Sequence, residues 1–67
     1  MITGTVAEFD EHRGWGTVRA DSGGEHFFHC TAIADGSRAI DPGATVRYRI
    51  VAGRLGRWEA AEIAPAQ

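Results

Sequence analysis

The aromatic and histidine side chains that could stack on unpaired nucleic-acid bases are concentrated in two short segments of this chain. Trp15 stands between Gly14 and Gly16 in the first segment, and Phe27 and His29 alternate in the second. Alternate residues of a strand share one face, so Phe27 and His29 lie together, while the small glycines face inward and leave Trp15 outside. Flat rings on a rigid sheet stack on unpaired bases with little regard to their sequence. We therefore predict that Trp15, Phe27 and His29 form a stacking surface for single-stranded nucleic acid.

Histidine and cysteine side chains also raise the question of a metal site or a catalytic centre. His26, His29 and Cys30 are close in sequence, but in a strand residues 26 and 30 point to one face and residue 29 to the other. His12 is isolated in a predicted loop, and no second Cys or His pair supplies the remaining ligands of a zinc site. The sequence also lacks a nucleophile–base–acid set and a phosphate-binding loop. We therefore expect no metal, no cofactor and no enzymatic activity.

The composition of the chain is that of one small globular domain. The 67 residues carry a net charge of −2, so long-range attraction to phosphate should be weak. All seven basic residues are Arg, which suits stacking and phosphate contacts, although a GC-rich coding sequence is the explanation that we favour. A single cysteine indicates a reducing compartment, and neither a leader nor an apolar stretch of roughly 20 residues is present. These features predict a complete cytoplasmic protein with no membrane partner.

Hydrophobic alternation predicts strands throughout the chain and no long helix. The alternation is clearest in the fourth strand, where Arg47 and Arg49 form a solvated face. The turn cluster at 21–24 joins the second and third strands in a hairpin. A single turn is expected at Thr31–Ile33 and a frayed tail at Ala64–Gln67. The predicted strands are Met1–Phe9, Gly14–Ala20, Glu25–Cys30, Thr45–Val51 and Arg57–Ile63.

Five short strands can enclose a core only if the sheet closes on itself. Closure into a barrel removes the exposed edges and gives a single interior. We therefore predict an all-β fold, a small five-stranded antiparallel OB-fold (oligonucleotide-binding) barrel that forms one domain over residues 1–67. The predicted core residues are Val6, Phe9, Val18, Phe28, Ile33, Val46, Tyr48, Ile50 and Ile63.

Several short runs of the sequence occur in the order and spacing of one protein family. Arg13–Val18 and His26–Cys30 match its two ribonucleoprotein motifs. Further matches cover nearly the whole chain: Thr31–Ile33, Asp41–Gly43, Val46–Tyr48 and Ala60–Ile63. The chain thus resembles bacterial cold-shock proteins, which consist of a single cold-shock domain, as a divergent member. The resemblance implies sequence-tolerant binding of single-stranded RNA or DNA, as in an RNA chaperone or a cold-shock or transcription regulator.

The chain departs from this family at positions that usually carry the aromatic surface. Glu8 stands where the family usually has Trp, and Thr17 and Cys30 stand where it usually has Phe. Ala7 replaces a frequent basic residue, and the loop at Ser37–Arg38 lacks the aromatic that relatives often have there. A carboxylate at position 8 also repels phosphate. The resemblance therefore implies weaker binding or a shorter site than in a typical member.

Further side chains are candidates for contacts around the central aromatics. Arg13 is predicted to contact a phosphate or a base. Trp58, near where the family places a Pro and a Gln against a base, either stacks on a base or covers an open end of the barrel. Arg54 and Arg57 flank Trp58 and could partly compensate for the missing rings. The predicted nucleic-acid-binding residues are Arg13, Trp15, Phe27, His29, Arg57 and Trp58.

Two function classes remain open, and we favour the first. In the first, the protein binds single-stranded RNA or DNA by stacking. In the second, the fold has lost most of its affinity for nucleic acid and serves as a protein-interaction module, which the acidic charge and Glu8 favour. A monomer is expected, with a strand-swapped dimer as the alternative.

Overall fold

The structure, a computed structural model, describes residues 1–36, 39–53 and 56–66. Five strands form a closed barrel in the order β1-β2-β3-β5-β4, and a 3₁₀ turn at Cys30–Ala32 follows the third strand. The strands are β1 (Ile2–Asp10), β2 (Trp15–Ala20), β3 (Glu25–His29), β4 (Thr45–Ala52) and β5 (Trp58–Pro65). None of the described residues belongs to a helix long and apolar enough to cross a membrane. The predicted all-β barrel is confirmed, with small shifts at the strand ends.

The closure of the barrel differs in one place from the expected antiparallel pattern. Four neighbouring strand pairs are antiparallel. β3 and β5 instead pair in parallel, with Phe27 opposite Glu59. An odd number of strands cannot alternate in direction around a closed ring, so one neighbouring pair has to be parallel. This closure brings together two segments that are distant in the chain.

Most of the residues predicted for the core fill the interior of the barrel. Phe9 and Ile50 are only partly buried and pack against the core, so the prediction that they belong to its interior is wrong. Phe9 lies beyond a register shift in β1, and its ring stacks on Phe28 with the centroids 5.9 Å apart. Two small residues that the alternation did not single out also belong to the interior. The buried hydrophobic residues are Val6, Val18, Ala20, Phe28, Ile33, Val46, Tyr48, Ala60 and Ile63.

β1 and β2 pass very close to each other at Gly16. Gly16 is buried, as predicted, and a Cβ atom at this position would overlap the backbone of Glu8 and Phe9. Only a residue without a side chain allows the two strands this approach. Because Gly16 faces inward, the alternation of β2 leaves Trp15 and Thr17 on the outer surface.

The turn between β1 and β2 depends on Gly14 and Asp10. Gly14 precedes β2 and has φ 73°, so it does not occupy the inward strand position that was predicted for it. A residue in this left-handed region is most easily a glycine. The N–H of Gly14 donates to the carbonyl of Asp10 over 2.8 Å, while the carboxylate of Asp10 accepts from the backbone N–H groups of His12 and Arg13.

The C-terminal segment belongs to the barrel, contrary to the predicted frayed tail. Ala64 and Pro65 pair with β4. The N–H of Ala66 donates to the carbonyl of Thr45 over 3.0 Å. Gln67 lies outside the described residues. Pairing with β4 satisfies backbone groups that a free tail would leave to water.

Candidate nucleic-acid interface

The rings of Trp15, Phe27 and His29 form one cluster on the outer surface of the β2–β3 hairpin, which we call the aromatic platform. Strand pairing places Trp15 opposite His29 and Thr17 opposite Phe27. The ring centroids of Trp15 and Phe27 are 5.5 Å apart, with the ring planes inclined by 30°. Those of Phe27 and His29 are 4.9 Å apart, in an edge-to-face contact. None of the three side chains is buried in the core, so the structure brings the three predicted residues together at the surface.

The alternation of β3 sends His26 and Phe28 to the other side of the hairpin. Phe28 is fully buried, and Nδ1 of His26 lies 3.3 Å from the hydroxyl group of Tyr48. Burial raises the pKa of Tyr48 above its usual value of 10.0, and the negative charge of Asp21 raises it further. His26 and His29 therefore lie on opposite faces of β3. Within the described part of the chain, no three His, Cys, Asp or Glu side chains are grouped so that they could hold a metal ion.

Carboxylates flank the aromatic platform on both sides. On one side they belong to β1 and on the other to β5. The pairs across neighbouring strands are Asp10 with Trp15, Glu8 with Thr17 and Glu59 with Phe27. The sequence analysis missed Glu59, because only the closure of the barrel pairs it with β3. A surface of rings between negative charges suits the faces of bases better than it suits phosphates.

Arg13 is a cationic side chain beside the platform. Its Nε atom lies 3.7 Å from a carboxylate oxygen of Asp10, and both side chains are largely exposed. An exposed ion pair of this kind contributes little stability, so the guanidinium group can leave it at small cost. Arg13 also lines an open hollow together with His29 and Glu59. Arg13 therefore lies beside His29 of the aromatic platform.

Trp58 lies at the start of β5 and is 64% exposed. Its position in the alternation of β5 matches that of buried Ala60 and is opposite to that of Glu59, the strand partner of Phe27. Trp58 and Arg57 nevertheless line a second open hollow, of which Phe27 forms another wall. The structure therefore places Trp58 and Arg57 beside the platform, outside its ring cluster. Arg54 lies outside the described residues.

Three of the substituted positions of the aromatic surface, Glu8, Thr17 and Cys30, belong to the described part of the chain. Glu8 is exposed on β1, and Thr17 is half-buried on β2, opposite Phe27 of β3. Cys30 begins the 3₁₀ turn, and its backbone N–H donates to the carbonyl of Gly14. The loop at 37–38 lies outside the described residues. At the described substituted positions, this face therefore carries small or acidic side chains in place of rings.

The fold and the site together define a class of protein. A small OB-fold barrel with exposed rings on one hairpin has the architecture of single-stranded nucleic-acid-binding domains. The family model described as the 'Cold-shock' DNA-binding domain matches residues 2–66. The chain therefore belongs to the cold-shock domain family, which is known for binding single-stranded nucleic acids.

Individual relatives agree with this assignment. The cold shock-like protein CspLB of Listeria monocytogenes is 37% identical over 57 residues, which cover 84% of this chain and 86% of that protein. The cold shock-like protein CspA of Stigmatella aurantiaca is 40% identical over 58 residues, which cover 84% and 85% respectively. The solved structure of Drosophila Unr CSD456 matches 98% of this chain and 26% of its own chain, with 30% identity and a TM-score of 0.79. The predicted resemblance and the OB fold are confirmed.

Proposed function

We propose that this protein binds single-stranded RNA or DNA by stacking unpaired bases on the aromatic platform, and that it catalyses no reaction. The observation that carries the proposal is that the ring of Phe27 contacts the rings of Trp15 and His29 outside the barrel, with centroid distances of 5.5 and 4.9 Å. A role in the core does not account for these rings, because Val18 and Phe28 of the same two strands already fill the interior. Every base has a π face, so stacking of this kind tolerates sequence.

The number of rings sets the expected affinity and length of the site. Each stacked base contributes about 1–3 kcal/mol. Two or three stacked bases, together with contacts from Arg13 and Arg57, support a dissociation constant in the micromolar range. Glu8 and Asp10 repel phosphates on the β1 side of the platform. We therefore expect weaker binding, or a shorter site, than in relatives that carry more aromatic residues.

The cellular role that fits this chemistry requires no catalytic group. A protein that captures unpaired bases shifts RNA away from its paired structure, because binding stabilises the single-stranded form. In this role the protein acts as a cytoplasmic monomer, either as an RNA chaperone or as a regulator of transcripts. The platform carries no feature that requires a metal ion, a cofactor or a membrane.

The test is a titration of tryptophan fluorescence in the Trp58→Phe variant. The chain has two tryptophans, so this variant reports on Trp15 alone. With a pyrimidine-rich single-stranded oligonucleotide, we expect quenching that saturates in the micromolar range and weakens from low to physiological salt. The reciprocal Trp15→Phe variant reports on Trp58, where we expect a smaller change because that side chain lies outside the ring cluster.

Absence of quenching at low salt, in a Trp58→Phe variant with an unchanged circular dichroism spectrum, contradicts the proposal. It then favours the second candidate, a protein-interaction module. The observation that favours this candidate is the row of carboxylates at Glu8 and Asp10 along one side of the platform. Such a face suits a cationic protein surface better than a polyanion.

A further inference from the structure

Glu59 is a half-buried residue of β5 that lies across the strand pair from Phe27. The two residues pair across the parallel closure of the barrel, and the alternation of their strands gives them the same outer face. Glu59 also lines the open hollow that Arg13 and His29 line. A base stacked on the platform at His29 can therefore present its hydrogen-bonding edge to the Glu59 carboxylate in this hollow.

The carboxylate of Glu59 has neither an ion pair nor a hydrogen bond within the part of the chain that the structure describes. Three of the other surface carboxylates pair with arginines: Asp10 with Arg13, Glu25 with Arg19 and Glu62 with Arg49. Gly53 makes room for the Glu59 side chain, because a Cβ atom at position 53 would overlap its carboxylate. The carboxylate thus lies against bare backbone, with its acceptor oxygens available to a ligand.

We propose that Glu59 recognises guanine in the bound strand and makes guanine the preferred base of this protein. This inference rests on the proposed stacking function. The Watson–Crick edge of guanine carries two adjacent donors, N1–H and the N2 amino group. An ionised carboxylate has two acceptor oxygens in a matching arrangement, so it can accept both hydrogen bonds at once. Such charge-assisted, bidentate pairs are among the stronger hydrogen-bonded contacts of proteins.

The other bases fit this carboxylate less well. Cytosine and adenine each present one amino donor next to an acceptor ring nitrogen, and thymine and uracil present one N–H between two carbonyl oxygens. An acceptor that faces the carboxylate is repelled, and a site built for two donors loses affinity when one is missing. A bidentate base contact discriminates between bases by roughly five- to 150-fold. Because Glu59 is only half-buried, we expect a preference for guanine over thymine on the order of tenfold.

The experiment is a competition assay that does not depend on quenching by the base itself. A fluorescein-labelled oligothymidylate of about seven nucleotides is displaced from the protein, and anisotropy is recorded. The competitors are the unlabelled oligothymidylate, the same strand with one central guanosine and the same strand with one central inosine, which lacks the N2 amino group. We expect the guanosine strand to compete about tenfold better than oligothymidylate, and the inosine strand to lose most of this advantage.

Two matched variants assign the preference to Glu59. Glu59→Gln keeps the size of the side chain but offers one acceptor and one donor, so the guanosine preference should fall to near unity. Glu62→Gln removes the same charge from the same strand, at a residue that pairs with Arg49, and should keep the preference. Circular dichroism verifies the fold of both variants.

The outcomes separate the inference from the proposed function. If the unaltered protein binds oligothymidylate but does not discriminate in favour of guanosine, the inference is overturned and the stacking function stands. If Glu59→Gln retains the full preference, the inference is equally overturned. If no oligonucleotide binds at all, the proposed function and the inference fail together.

Discussion

At the residue scale, Phe27 is the centre of the candidate interface because its ring contacts both other rings of the platform. Its neighbours in β3, His26 and Phe28, point to the opposite side and make the internal contacts of the strand. A change at position 27 therefore alters the surface and leaves these contacts in place. Because the surface contacts and the internal contacts of β3 involve different residues, a substitution at position 27 can change oligonucleotide affinity with little change in the free energy of unfolding.

Replacing Phe27 by Ala should weaken oligonucleotide binding by about tenfold or more, since one stack contributes about 1–3 kcal/mol. The free energy of unfolding should fall by only about 1 kcal/mol, because the ring is partly exposed. Titration with an oligonucleotide and urea denaturation measure the two quantities. Phe27→Tyr keeps the ring and should keep the affinity. An unchanged affinity in a folded Phe27→Ala variant would show that bases do not stack there.

At the scale of elements, the close approach of β1 and β2 at Gly16 determines which side chains reach the surface. The side-chain position of Gly16 is occupied by the carbonyl of Glu8, the Cα of Phe9 and the ring of Phe28. Gly16 therefore keeps β1 against β2 and holds Trp15 and Thr17 outward. The hairpin face depends on this single small residue more than on local strand propensity.

Gly16→Ala should destabilise the protein by about 1–3 kcal/mol, which is the range for overpacking a filled position. The sign is informative, because an Ala in the middle of a strand is ordinarily more favourable than a Gly by about 0.5–1 kcal/mol. Urea denaturation gives the change in unfolding free energy. Thr17→Ala, one residue further along and on the outer face, is the matched control and should change stability by less than about 1 kcal/mol. A gain in stability for Gly16→Ala would rule out the close approach.

At the scale of the whole molecule, the closed barrel surrounds the chain's only tyrosine. Tyr48 is fully buried, and its hydroxyl group is 3.3 Å from His26. Burial raises its pKa above the value of the unfolded chain. The neutral phenol is therefore favoured by folding, and the unfolded chain loses its phenolic proton at a lower pH than the folded protein does.

Stability should consequently depend on pH in the alkaline range. The contribution of the Tyr48 pKa shift is fully present below the pKa of the unfolded chain, about 10, and is lost as the pH rises through the higher pKa of the folded state. All seven basic residues are Arg and none is Lys, so no ammonium side chain titrates in this range. Urea denaturation between about pH 9 and 11 should show a steeper loss of stability than in Tyr48→Phe. Parallel curves would contradict this assignment.

The local pattern of the sequence was sufficient to predict the strands, the barrel and the aromatic hairpin. Strand alternation has a period of two residues, so each strand assigns its own inner and outer faces without reference to distant segments. Trp15, Phe27 and His29 belong to strands joined by a short turn, and this proximity in sequence let their contact be anticipated. The order and spacing of the sequence motifs indicated the cold-shock family. The role of the platform residues in binding stays a prediction.

Tertiary structure alone decided three other features of the protein. Phe9 is only partly buried because a register shift precedes it in β1. The C-terminal segment belongs to the barrel because it pairs with β4. Glu59 lies across the strand pair from Phe27 because the barrel closes between β3 and β5. A bulge or a one-residue change in register turns side chains to the other face, and the local sequence pattern does not predict where such a change occurs. Contacts between β3 and β5 depend on the closure of the whole ring. The sequence by itself determined which rings face outward, and the closure of the barrel decided which acidic residue lies on the strand beside them.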